Sequence, residues 1–126
     1  MMKEPELERD LDINRDALLK VDSRGRITVP SNIRFLNDID PKDDMDYYVD
    51  YYLDSIIYSD PEAEDEKKNE AEKNFSKRMD NRARITIPLD TRDRCGMNLD
   101  DDGVYFAEVT IERIEVQNPN TDGGES

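Results

Sequence analysis

Histidine and tryptophan are absent from this 126-residue sequence, and cysteine occurs once, as Cys95. Without histidine the commonest general base and the commonest metal-ligating side chain are missing. A nucleophile built on Cys95 or on a serine would lack its usual partner. A lone cysteine forms no intrachain disulfide or cysteine metal site, and the five glycines assemble no phosphate-cradling loop. These gaps weigh against an enzyme, and no metal or cofactor is expected. Nothing approaches the roughly 18 apolar residues of a membrane-spanning helix, and no secretory leader pattern opens the sequence. A cytoplasmic protein without a membrane partner is expected. Apolar residues make up only 35% of the chain. Any core is therefore small, supplemented by a flat β architecture or an oligomer interface.

What the chain has is charge: 32 Asp and Glu against 18 Lys and Arg, a net of −14. An acidic surface repels phosphate. The other reading is adaptation to a salt-filled cytoplasm, which suits 11 arginines against 7 lysines and acids spread along the chain. At about 1 M salt the Debye length is only ~3 Å, so local charge decides. Residues 17–35 carry a local balance of +3, from Lys20, Arg24, Arg26 and Arg34 against Asp22. Residues 75–95 also carry +3, from Lys77, Arg78, Arg82, Arg84, Arg92 and Arg94 against Asp80, Asp90 and Asp93.

Those two stretches are copies. At an offset of 58, "VDSRGRITVP" (21–30) returns as "MDNRARITIP" (79–88), pairing Asp22 with Asp80, Arg24 with Arg82, Arg26 with Arg84 and Arg34 with Arg92. Such self-similarity settles organisation before fold. Each unit reads as strand, tight turn, strand, short helix, turn, strand. Gly25 supplies φ > 0 in the first turn, and Pro30 ends the strand "RITV" and opens a helix over "SNIRFL". "MDYYVDY" alternates as a strand, and "LDS" allows a turn before "IIY". The second unit has a helix near 89–95 capped by Gly96, then one long strand or a hairpin from Val104. Residues 1–16 read as a mobile N-terminal extension and 117–126 as a disordered tail. Residues 60–74 read as a solvated, acidic helical linker, with Asp60 as cap, Pro61 at the first position and Glu64 facing Lys67 or Lys68. Neither half, 17–59 or 75–116, can bury a core alone. Two can do so by interleaving hairpins, which implies a single-chain pseudo-dimer.

The stretch "VDSRGRITVPSNIRFLNDIDPKDDMDYYV" resembles the SpoVT/AbrB swapped-hairpin family. Two such units, each with Asp-x-x-x-Arg at Asp22…Arg26 and Asp80…Arg84, are similar to the tandem MraZ-type transcription regulators within it. The resemblance implies a mainly β fold with short helices, a swapped-hairpin AbrB-like β-barrel that forms the pseudo-dimer. It also implies sequence-specific double-stranded-DNA binding and a homo-oligomer. Carried over, the DNA-approaching positions are Arg24, Arg26, Arg82 and Arg84, with Arg34 and Arg92 matching the arginine of the family's short helix; Lys20, Lys77 and Arg78 join them as DNA-binding candidates from the local positive charge, and Asp22 and Asp80 orient the motif. Two departures stand out. Ala83 replaces Gly25's counterpart, so Asn81 is expected to take the left-handed conformation there. Asn37-Asp38 stands where the family has Leu-Gly.

Each signal has a plainer reading. Arg24 and Arg26, as alternate strand positions, would share a face and reach guanine or phosphate with a bidentate fork. Alternatively, Asp22–Arg26 and Asp80–Arg84 are ion pairs that fix the turns. Tyr47, Tyr48, Tyr51, Tyr52 and Tyr58 suit a core and oligomer interface better than a base-stacking platform, because Asp46, Asp50 and Asp54 interleave them. "NLDDDG" (98–103) begins like a calcium loop, but its twelfth position is Val109 instead of Glu, so a solvated acidic turn is expected. The alternative function is a protein-binding or assembly module, antitoxin-like or structural, that keeps the fold without DNA.

Overall fold

The computed structural model describes residues 8–60, 62, 65–100 and 103–119, with Asp65 described by its backbone alone. The chain runs β1 (Arg9–Lys20), β2 (Arg26–Thr28), α1 (Ser31–Leu36), β3 (Asp46–Asp60), β4 (Asp65–Arg78), β5 (Arg84–Thr86), α2 (Leu89–Arg94) and β6 (Val104–Gln117). The fold is mainly β. Among the described residues no helix is long and apolar enough to cross a membrane.

The strands form a four-stranded antiparallel sheet in the order β1-β6-β3-β4 and a two-stranded antiparallel ladder, β2-β5. The expected closed barrel is thus two separate sheets. Every strand pairing joins one repeat to the other: β1 to β6, β4 to β3, β3 to β6 and β2 to β5. Exchange of the halves sends β1 to β4 and β3 to β6, and the strand order reads the same backwards. Among the described residues neither repeat has a sheet of its own.

The backbone repeats in detail. Positive φ occurs at Asn14 and Glu72 (50° and 51°), Gly25 and Ala83 (77° and 64°), and Asp38 and Gly96 (54° and 69°), each pair 58 residues apart. Asn14 and Glu72 sit where β1 and β4 slip register. Such bulges raise local twist and bend the strand. Beneath the sheets lies one core fed by both halves. Ile27 and Ile85 face each other across the ladder and are fully buried, as are Val49, Tyr51, Ile111 and Ile114 in the central strands. Burying an Ile or Val side chain of this kind contributes about 1.5–3 kcal/mol.

Several expectations are corrected. The acidic "linker helix" is strand β4, paired along β3, with Phe75 set 5.4 Å from Tyr51. Helix propensity there is a few tenths of a kcal/mol per residue. Pairing with β3 and burial of Phe75 outweigh it. The roles given to Pro61 and Glu64 lie outside the described residues, as do residues 1–7, 120–126 and the Asp101-Asp102 part of the acidic turn. The supposedly mobile stretch 9–16 is the first part of β1. "LDS" is no turn: β3 runs through it, with a register shift between Leu53 and Ser55. From Val104 there is one long strand. Tyr47 and Tyr51 are core residues.

Candidate nucleic-acid interface

The two Asp-x-x-x-Arg loops are built alike. Asp22 Oδ1 accepts the backbone N–H groups of Arg24 and Arg26, both at 2.9 Å, and its Oδ2 accepts Arg26 Nε–H at 2.8 Å. Asp80 does the same for Arg82 N (2.9 Å), Arg84 N (2.8 Å) and Arg84 Nε (2.8 Å). In each loop the first residue's carbonyl accepts from Gly25 N or Ala83 N, at 3.1 and 2.9 Å. That is the pattern of a three-residue hairpin loop whose last residue is left-handed. Ala83 itself takes this conformation, correcting the assignment to Asn81. The neighbouring repeat pins it: Ala83 O accepts Val29 N–H at 2.8 Å, as Gly25 O accepts Ile87 N–H at 2.8 Å.

Partial burial by itself would raise the Asp22 and Asp80 carboxyls. The backbone donors, with Arg26 and Arg84, outweigh it and hold both below the ordinary range. Each carboxylate therefore stays ionised and fixes its arginine. The ion pair and the DNA-contact reading are compatible, because only Nε is engaged in these bonds and the two outer nitrogens of each fork remain available.

Register then decides what shares a face. Arg26 pairs with Thr86, Ile27 with Ile85, and Thr28 with Arg84. With the isoleucines turned into the core, Arg26, Thr28, Arg84 and Thr86 form the outer face of the ladder, the two arginines diagonal neighbours at about 7–8 Å between Cα atoms. Thr28 and Thr86 are exposed hydroxyls that the sequence reading passed over. The alternation Arg-Ile-Thr, read with period two, would have found them. Arg24 and Arg82 lie on the loops instead of on the strands, exposed, and their side chains make no hydrogen bond or ion pair with the described residues.

Arg34 and Arg92 reach back from α1 and α2, donating Nε–H to Val29 O (3.0 Å) and Ile87 O (2.9 Å). Arg92 lies over Gly25 of the other repeat. The loops and ladder thus gather Arg24, Arg26 and Arg92 at one end and Arg82, Arg84 and Arg34 at the other. The remaining predicted positions lie elsewhere. Lys20 ends β1, and Lys77 and Arg78 end β4, all in the four-stranded sheet. Arg78 is bonded to Asp46 at 2.8 Å and borders a cleft of about 610 Å³ that Asp43, Asp44 and Asp80 also line. An anion would be repelled there. Among the described residues no cluster of three or more metal-ligating side chains is placed to hold an ion.

No family model matches the chain, and no curated protein does. A solved structure described as the solution structure of PHS018 from Pyrococcus horikoshii is similar over 81% of this chain and 97% of that one, at 19% identity and a TM-score of 0.44. A likeness that slight carries no argument about fold or function.

Proposed function

We propose that this chain is a sequence-specific double-stranded-DNA-binding transcription regulator of the SpoVT/AbrB type, a tandem swapped-hairpin pseudo-dimer arranged as in MraZ-type proteins. On this reading it is a non-enzymatic, cytoplasmic protein of a salt-adapted cell and assembles as a homo-oligomer. The observation that carries the reading is the outer face of the β2–β5 ladder. There Arg26 and Arg84, each oriented by its own aspartate, stand beside two exposed threonines and are flanked by the unpaired Arg24 and Arg82. Arginine forks so held suit guanine O6/N7 or phosphate, and pre-orientation lowers the entropy lost on binding.

The test is selection from a random-sequence duplex library, followed by titration of the enriched duplex at several salt concentrations. Wild type should enrich a sequence and weaken as salt rises. The Arg24→Ala/Arg82→Ala double variant alters only loop-tip side chains. It should bind the enriched duplex at least tenfold more weakly, from about 1–3 kcal/mol per bidentate contact. If no duplex is enriched even at low salt, or the double variant binds as well as wild type, the reading fails.

One observation favours the alternative assembly module. Phe35 and Leu36 on α1 are 84% and 66% exposed, where the second repeat has Asp93 and Arg94. If Phe35→Ser abolishes self-association while DNA selection yields nothing, assembly is the function.

A further inference from the structure

Exchange of the halves maps Gly25 onto Ala83 and Arg34 onto Arg92, and at this pair the likeness ends. Both loop residues are buried and left-handed. Gly25 lies beneath Arg92 of the other repeat, and matching pairs of bonds tie each loop to the opposite half. Ile87 donates its N–H to Gly25 O at 2.8 Å and accepts Arg92 Nε–H at 2.9 Å. Val29 donates to Ala83 O at 2.8 Å and accepts Arg34 Nε–H at 3.0 Å.

A Cβ at Gly25 would stand 2.6 Å from Arg92 Cδ, 2.7 Å from its Nε and 2.8 Å from its Cζ. Arg92 therefore lies on bare backbone, in the space a side chain would fill. At the equivalent position of the other loop stands the Ala83 methyl, while Arg34 keeps the same Nε–H bond, to Val29 O at 3.0 Å. The end of the face made by Arg24, Arg26 and Arg92 thus has bare backbone in the loop where the end made by Arg82, Arg84 and Arg34 has a methyl.

Resting on the double-stranded-DNA reading above, we infer that the face reads its duplex as two unlike half-sites and that the Gly25/Ala83 difference sets them apart. Hydrogen bonds tolerate a donor–acceptor range of only about 0.5 Å. A shift of about 1 Å, less than the room a methyl takes, moves a guanidinium out of reach of a guanine edge or exchanges a base contact for a phosphate one. The chain's repeat would by itself favour a palindrome. The single methyl breaks it.

The test uses two full-chain variants that restore symmetry, Ala83→Gly with two glycines and Gly25→Ala with two alanines. Each is taken through the random-duplex selection beside wild type, with folding checked by circular dichroism. Wild type should enrich a motif with unlike halves. Each variant should enrich a motif with like halves, and its preference for the wild-type motif over that palindrome should fall about tenfold or more. A palindromic wild-type motif overturns the inference, as does retention of unlike halves by Ala83→Gly, which only removes a methyl and decides the matter even if Gly25→Ala does not fold. Absence of any enriched duplex for wild type overturns instead the DNA reading on which the inference rests.

Discussion

The two repeats share a backbone and differ in how side chains satisfy it. Asp50 in β3 corresponds to Glu108 in β6, and Arg113 in β6 to Ser55 in β3. In one place Arg113 bonds Asp50 at 3.1 Å. In the other the buried Ser55 hydroxyl donates to Glu108, and the cation comes from edge strand β4, where Lys68 stands 3.2 Å from Glu108. The left-handed positions tell the same story, with Asn14 against Glu72, Gly25 against Ala83 and Asp38 against Gly96. Strand register at Asn14 and Glu72, the hairpin loops at Gly25 and Ala83, and the helix ends at Asp38 and Gly96 set φ, and whichever residue stands there accepts it. For a residue other than glycine, asparagine or aspartate that costs roughly 1–2 kcal/mol.

The comparison breaks most severely at Ile27 and Ile85, Cα partners at the centre of the ladder, 0% and 1% exposed. Truncation of either to alanine should cost about 2–5 kcal/mol, and by similar amounts, because each fills the same core from opposite sides. Urea unfolding followed by circular dichroism and by tyrosine fluorescence should show one coincident transition for wild type and both variants. Two separable transitions would mean that the halves fold independently, contrary to their exchange of every strand.

Next in size is the pair of aspartates. Asp22→Asn and Asp80→Asn each keep an acceptor for the backbone but turn an amide N–H toward Arg Nε. A cost of about 1–2 kcal/mol is expected at each, nearly equal in the two halves. The pH dependence follows from the sign of the shifts. Both carboxyls are held below their ordinary value in the fold, so their contribution is fully present above about pH 4 and is lost as pH falls through the lower folded values. Thermal melts from neutral pH downward should therefore show a shallower acid decline in the double variant than in wild type. An unchanged decline would place the acid sensitivity elsewhere.

The cassettes were legible because repetition is a strong signal: two copies of Asp-x-x-x-Arg with alternating Ile and a closing proline at one offset leave few readings. The short helices were legible from the proline that opens each, and the buried face of β3 from its period. The earlier part of the first strand of each repeat was not. β1 and β4 are the edges of the sheet; "DEKKNEAEKN" is polar on both faces, and in "RDLDINRD" only Leu11 and Ile13 alternate before the register slips near Asn14. Their strand character comes from β6 and β3, and their charge discourages edge-to-edge association with other chains. On local propensity alone β4 reads as helix. The repeat itself held the correction, since residues 67–78 are the counterparts of Arg9–Lys20, but side-chain identity there is too low to extend the match. The arginine face was half legible, because alternation gave Arg26 and Arg84 while the loop position of Arg24 and Arg82 needed the turn geometry.

The smallest effect concerns the bulge shared by those edge strands. Asn14 and Glu72 adopt almost the same φ, 50° and 51°, on exposed backbone. Asparagine tolerates the left-handed region well and glutamate does not. Glu72 also lies beside Glu70, whose hydrogen bond and negative charge, with lesser help from desolvation and Asp54, raise its pKa. Glu72→Asn copies the first repeat into the second and removes a charge from a crowded acidic site. It should stabilise the protein slightly, seen as a higher urea midpoint with an unchanged slope, while Asn14→Glu, the reverse change in β1, should lower the midpoint. If Glu72→Asn destabilises, the φ at this bulge is imposed by contacts of the Glu72 side chain, and the two edge strands reach one geometry for different reasons.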